Sequence, residues 1–450
     1  MGSRRKRRTE AVQARTIPTP RSAIVVGAGV VGLATAWHLH RAGLSVTVVE
    51  QDHVAAGASW GNAGWLTPPI TTPLPEPAIL KSGIKAFVSP NSPVYVPPRF
   101  DPVLVRFLSG FLRRSTSRAW SEAMSYYIPL NRKSLEAFDE LTENGVAEPT
   151  VTPEAFLACF DKPGQHRMLQ EEFEQIDAAG QPIQSEVIDG DAARELVPAL
   201  SDRVVEAIRL DGTRYIDPPA YLRSLADAVR AQGTKILEGT RVTDVDGGRP
   251  SSPASVTVQS NVRSGETRSE SPARGAGEAE RLTADVVVLA TGAWLPEFSQ
   301  KFGVRQVIQA GRGYSFSIEI DPNPTMPVYL PAQRVACTPL GERFRVAGMM
   351  EFQRPDAPLD PRRIEAIVGA AKPMFTGANF DQREDEWVGS RPVTPDGLPQ
   401  IGPTVSPRVH VAGGHGMWGI TLGPLTGRLL TEAITTGEVP DLLEPFNPLR

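Results

Sequence analysis

The chain has 450 residues, enough for two domains that each bury a core. Its formal net charge of −4 argues against a nucleic-acid partner. Two distant cysteines, Cys159 and Cys337, and six scattered histidines make no CxxC or Cys/His cluster, which excludes a disulfide framework and a zinc site. Both thiols are expected to be buried and reduced.

The N-terminus, MGSRRKRRTE, is basic and then polar, without the apolar core of a secretory signal. Residues 1–20 therefore read as a solvated tail, with a weak contact to anionic lipid as the other reading. No apolar run approaches the roughly 20 residues needed to span a bilayer. The protein is expected to be soluble and cytoplasmic, at most peripheral at the inner face of the membrane.

Ala23–Val26 predicts a strand, Gly27–Gly32 a glycine turn, Leu33–Arg41 a helix and Ser45–Val49 a second strand. Prolines crowd 68–102, an irregular excursion, before helical composition returns over 103–145. A strand at Ala155–Phe160, a helix at His166–Ala178, a helix at Tyr221–Gln232 and strand-like Lys235–Val245 follow. Asp246–Glu280 is rich in Gly, Ser, Pro and charge and reads as a loop or hairpin insert, with one strand at Ser255–Val258. Ala284–Ala290 (ADVVVLA) is a continuous apolar run, as in a parallel strand covered on both faces. Alternation over 304–352 predicts antiparallel strands, 360–371 a helix, Val409–Ala412 a strand and Leu425–Thr435 a last helix.

βαβ material at the start, middle and end of the chain predicts an α/β fold. Its discontinuous, Rossmann-like nucleotide-binding domain comprises 21–75, 205–300 and 388–450. An α+β domain with a mainly antiparallel sheet comprises 76–204 and 301–387. GAGVVG at 27–32 fits G-x-G-x-x-G, follows a strand, opens a helix and is followed by Glu50 at the end of the next strand. Gly27 permits the turn, Gly29 lets backbone approach pyrophosphate, and Gly32 lets helix and strand pack closely. The helix N-terminus offers free N–H groups to phosphate, and the Glu50 carboxylate accepts from a ribose diol. The break into a proline-rich loop favours FAD over NAD. A second glycine turn opening a helix at 411–430 suits the electron-rich edge of a reduced flavin.

GAGVVGLATAWHLHRAG, ASWGNAGW (58–65), ADVVVLATGAW, GRGYSF (311–316), WVGSRPVTPDGLPQIG (387–402) and GGHGMWGITLGPLTG (413–427) together resemble the D-amino-acid oxidase superfamily of flavoproteins. The bacterial FAD-dependent D-amino-acid dehydrogenases are the members they resemble most. The resemblance runs from about 22 to 430 and implies non-covalent FAD, since no cysteine motif for flavin attachment surrounds Cys337. It implies that Gly27, Ala28, Gly29, Val30, Val31 and Gly32 meet the pyrophosphate and Glu50–Gln51 the adenosine ribose. Ser59, Asn62, Ala63, Gly64 and Trp65 wrap the flavin. Val242 lies toward the adenine, Thr291–Gly292 near the pyrophosphate, and Gly414, His415, Gly416, Gly419, Ile420 and Thr421 along the isoalloxazine.

An enzyme that oxidises amino acids must hold a carboxylate, which suits an arginine fork. The resemblance assigns this to Arg391, although the sequence leaves open a structural arginine paired with Asp396, Glu384, Asp385 or Glu386. Tyr314 is expected to add a hydrogen bond to the carboxylate, with a core tyrosine as the other reading; Arg312 is a rival anchor. His415 is expected to touch flavin or substrate, and Trp65 and Trp418 to line the side-chain pocket or pack in the core. The implied reaction is oxidative deamination of a D-amino acid to a 2-oxo acid and ammonia, with electrons passed to a quinone or another acceptor. A relative acting on glycine, sarcosine or a cyclic imino acid such as D-hydroxyproline, or a flavin-binding subunit without turnover, are the alternatives. The oligomeric state is not legible.

Overall fold

A computed structural model describes residues 19–77, 94–98, 100–249, 252–260 and 279–450. Residues 1–18, and with them most of the expected tail, lie outside the described residues, as do parts of the proline-rich excursion and of the 246–280 insert.

Short β-branched runs build a six-stranded sheet in the order Gln400–Pro403, Val409–Gly413, Val286–Leu289, Ser22–Val26, Ser45–Val49, Lys235–Leu237. All neighbours are parallel except the first pair. Val286–Leu289 is buried at every position, as a strand covered on both faces must be. The helices Val30–Arg41 and Gly419–Thr436 pack together on one face. Gly427 makes this possible, because a Cβ there would lie 2.7 Å from the Ala34 carbonyl carbon. Trp37 is wholly buried in the same core.

The second sheet has nine strands. Its main path is Glu384–Val393, Gln309–Ile318, Arg343–Phe352, Val335–Leu340, Val328–Leu330, Phe156–Phe160, Glu206–Leu210, Ser185–Asp189, and Val94–Tyr95 pairs with Arg343–Phe352. Only Val328–Leu330 with Phe156–Phe160 and Val94–Tyr95 with Arg343–Phe352 run parallel. The expected architecture of a Rossmann-like domain beside an α+β domain is therefore present.

One domain bound needs correction. Residues from 205 were assigned to the nucleotide-binding domain, but Glu206–Leu210 joins the second sheet beside Phe156–Phe160, which buries Ala207, Ile208 and Leu210. The strand expected at Ser255–Val258 is present and slightly longer. Ala254–Ser260 is the middle strand of an antiparallel meander between Thr240–Asp246 and Glu280–Ala284, and Val256 and Val258 join the hydrophobic cluster beneath it. The last helix starts at Gly419, six residues before expected, and accommodates Pro424.

Candidate active site

Strand Ser22–Val26 ends in Gly27, whose φ of 106° strongly favours glycine. A Cβ there would lie 2.5 Å from the Ala290 carbonyl oxygen, and one at Gly32 would lie 2.0 Å from that of Gly27. The helix begins at Val30 with no cap from its own N-cap residue Gly29 and no acidic residue in its first turn, and Val30 N donates to Ser59 Oγ at 3.3 Å. Its N-terminal turn and positive dipole face a cavity, which suits pyrophosphate. Glu50 is held in place because its Oε2 accepts from Ala28 N at 2.8 Å and its Oε1 from Asp52 N at 3.1 Å. Burial raises its pKa, and the two backbone donors oppose that shift. Thr291 adds a buried hydroxyl on the cavity wall with no partner among the described residues.

The cavity encloses about 1320 Å³ counting its open mouth. Gly27, Gly29, Val30, Val31, Glu50, Gln51, Ser59, Asn62, Val242, Thr291 and Gly292 line it, and so do Arg391, His415, Gly416, Gly419 and Ile420. Helix Gly419–Thr436 opens there without a side-chain cap, so a second helix N-terminus faces the same space. A dinucleotide with anionic character at two places fits this wall. Thr240, Arg241, Ser390 and Met417 also line it. Sequence reasoning missed these four. The Ser-Arg-Pro and Gly-Met-Trp contexts of the last two were the only signals available.

Several expected residues lie behind the wall. Ala28 and Gly32 belong to the turn and helix backbone, while Ala63, Gly64, Gly414 and Thr421 support the lining without forming it. Thr421 Oγ1 donates to Trp65 O at 3.1 Å. The two tryptophans expected to line a side-chain pocket are anchors in packed regions. Trp65 Nε1 donates to Thr338 Oγ1 at 2.9 Å, and its ring meets Phe156 and Tyr329 edge-on. Trp418 Nε1 donates to Thr72 O at 2.6 Å. Both indole N–H groups are thereby consumed. Cys159 and Cys337 are buried away from the cavity; burial lifts Cys159 to about 12 and Cys337 upward as well.

Arg391 sits on Glu384–Val393, the edge strand, where Pro392 costs no interior ladder hydrogen bond. Its guanidinium lies across Gly313 of the neighbouring strand, where a Cβ would fall 2.2 Å from Nη2. Nη1 donates to Met349 O at 3.1 Å. The carboxylates that stood as possible partners are committed elsewhere: Asp396 to Arg450, Asp385 to Arg343, and Glu386 to Arg383. Among the described residues no carboxylate lies within ion-pair distance of Arg391. Although half-buried and reachable from the cavity, the group is desolvated enough that its pKa falls to about 10. It remains charged at neutral pH, and its charge points where an anion can arrive.

Tyr314 is not beside it. Strand parity turns its side chain to the opposite face, where its hydroxyl donates to Glu351 Oε2 at 2.7 Å in the core. Burial and the Glu351 carboxylate both keep that hydroxyl protonated. Of the two readings of Tyr314, the structure matches the core tyrosine, with its hydroxyl turned to Glu351. Arg312 shares that face, where its Nη1 donates to Pro358 O at 3.1 Å. His415, only 2% exposed, lies between Gly414 and Gly416, and its Nε2 is 3.0 Å from Thr426 Oγ1. Burial lowers its pKa to about 4, so the ring is neutral at pH 7.

Comparison with known proteins agrees with this geometry. The family described as DAO, FAD dependent oxidoreductase, matches residues 22–433. The chain is 30% identical over 428 residues to a D-amino acid dehydrogenase of Cereibacter sphaeroides, covering 93% of this chain and 92% of that one. It is 31% identical over 427 residues to a D-amino acid dehydrogenase of Xanthobacter autotrophicus, covering 93% and 96%. Among solved structures, glycine oxidase from Geobacillus kaustophilus superposes with a TM-score of 0.69 at 20% identity, covering 95% of this chain and 98% of that one. The two helix N-termini, the glycine turn and the cavity they line are thus features of an FAD enzyme, and the chain belongs to the DAO family of FAD-dependent oxidoreductases.

Proposed function

We propose that the protein oxidises D-amino acids to 2-oxo acids and ammonia. The observation that carries this reading is Arg391, a charged arginine on the cavity wall with no carboxylate partner among the described residues. Residues 27–32 and Glu50 would hold the adenosine diphosphate half of FAD. Ser59, Asn62, Gly416, Gly419 and Ile420 would hold the flavin half, without a covalent bond. The similarity to D-amino acid dehydrogenases supports the substrate class.

Arg391 binds the carboxylate bidentately and so fixes the position of Cα. When bound, FAD supplies the acceptor for the hydride that leaves Cα. The substrate amine must arrive uncharged, because its nitrogen lone pair forms the C=N bond as the hydride departs. His415 stays neutral and offers one hydrogen bond without adding a charge to the site. Water then adds to the imino acid and releases ammonia, which leaves the two electrons and the proton of the hydride on the enzyme. A quinone or another carrier takes those electrons.

Anaerobic mixing of the yellow holoenzyme with D- and L-alanine, glycine, sarcosine and D-hydroxyproline tests the reading. Bleaching is expected with the D-amino acid and not with its L-enantiomer. Preferential bleaching by glycine, sarcosine or the cyclic imino acid would overturn the substrate assignment.

A further inference from the structure

The sheet face that carries Arg391 is floored by small residues. Gly311, Gly313 and Ser315 stand directly opposite Arg391, Gly389 and Trp387 on the neighbouring strand. Trp387 is the large exception, and two glycines make room for it. A Cβ at Gly389 would fall 1.9 Å from its Cη2, and one at Gly61 would fall 2.1 Å from its Cδ2. The indole is therefore clamped between the Arg391 strand and residue 61 of the loop whose Ser59 and Asn62 line the cavity.

The same loop is held from beneath by neighbouring strands of that sheet. Ser315 Oγ, on the cross-strand partner of Trp387, donates to Gly61 O at 2.8 Å. Thr338 Oγ1 donates to Ala63 O at 2.7 Å, and Arg345 Nη1 to Trp60 O at 3.4 Å. Arg345 is wholly buried, and its guanidinium also lies over the Trp60 ring at 5.2 Å. The carbonyls of Trp60, Gly61 and Ala63 are thus tied to one sheet, while the Asn62 side chain turns back to accept from Gly64 N at 2.8 Å.

We propose that Trp387, wedged between Gly61 and Gly389 and backed by the Ser315 hydroxyl, is a positioning residue that sets the spacing between the Ser59–Asn62 loop and Arg391. This rests on the reading above, in which the loop holds the flavin and Arg391 holds the substrate carboxylate. A rigid indole suits the task because it fills the gap with a flat, incompressible body. Loop and anchor then move as one unit, and Cα meets the flavin at a constant distance.

Trp387→Ala, Trp387→Phe and Gly61→Ala test the wedge by FAD titration of apoprotein, melting of apoprotein, and anaerobic reduction of holoenzyme at saturating D-alanine. Trp387→Ala and Gly61→Ala are expected to weaken FAD binding about tenfold or more. They should also slow reduction on the order of 100-fold, the scale expected when reacting groups are misplaced by an ångström. Apoprotein melting should stay within about 3 °C of wild type, and Trp387→Phe should recover FAD affinity to within about threefold. Wild-type FAD affinity and reduction rate in Trp387→Ala would overturn the proposal. So would a loss of FAD affinity matched by collapse of apoprotein melting, since the indole would then be a fold contact only. Failure of wild type to be reduced by any amino acid would instead sink the functional reading, and the substrate-free FAD titration would still judge the wedge.

Discussion

The two faces of one strand pair place their arginines in different surroundings. On one face Arg312 is 2% exposed and stands opposite Glu351 in register, and the buried Arg363 lies on the helix packed there. There Glu351 accepts from Tyr314 Oη at 2.7 Å and lies 3.4 Å from Arg363 Nη2. Arg363 in turn stacks on Tyr95 at 4.0 Å. On the other face Arg391 has a backbone carbonyl and no carboxylate partner among the described residues. The first cluster supplies its own anion and so holds the sheet to the helix Pro361–Ala371. The second leaves its positive charge for something outside the chain. Burial alone does not separate structure from function here: Arg363 finds an internal counter-charge in Glu351, whereas Arg391 finds none among the described residues.

Arg391→Met should break the comparison most visibly. It is expected to cost 100-fold or more in kcat/KM with D-alanine, on the order of 3 kcal/mol for a lost charge-assisted pair. Apoprotein melting should hold or rise, because a desolvated cation without a counter-ion is removed. Glu351→Gln should do the reverse. It leaves Arg363 without its counter-ion in the core and should cost about 3 kcal/mol of stability by denaturant titration, with kcat/KM changed less than about threefold. Acid sharpens the contrast further. Burial lowers His38 to about 3 and His410 and His415 to about 4, all below the ordinary 6.5. As pH falls the unfolded chain takes up these protons first, so stability is lost between about pH 6.5 and pH 4. His410→Asn should flatten that slope in a melting-versus-pH series. Tyr314→Phe is the smallest change: a loss of about 1 kcal/mol in stability with unaltered KM, since the hydroxyl faces Glu351 and not the cavity.

Much of the cofactor cavity was legible because its chemistry is local. Gly27 needs its positive φ, and Glu50 stands one strand away, so a few residues in sequence declare the turn, the helix end and the carboxylate together. Arg391 was legible for a related reason: a lone strong cation among prolines and glycines has few local partners. Tyr314 was not. Strand Gln309–Ile318 is buried at every position, so no polar–apolar alternation marks which side chains face the cavity. A register shift between Arg312 and Tyr314 further obscures parity. For Trp65 and Trp418 the sequence left pocket lining and core packing both open, because a glycine-rich neighbourhood says nothing about where an indole N–H finds its acceptor. Thr338 and Thr72, the acceptors, are remote in sequence. Glu206–Leu210 was assigned to the wrong sheet for the same reason, its partner Phe156–Phe160 being chosen by burial across the molecule.

By itself the amino-acid sequence determined the strand–turn–helix that receives a dinucleotide, because φ, hydrogen-bond donors and strand spacing are set within a few residues. It also determined that a cation would be mounted on a stiff Gly-Ser-Arg-Pro segment. Only the tertiary structure decided that Arg391 has no carboxylate partner among the described residues while Arg363 pairs with Glu351. That choice rests on which face of a doubly buried strand meets which neighbour, and on counter-charges contributed from other elements.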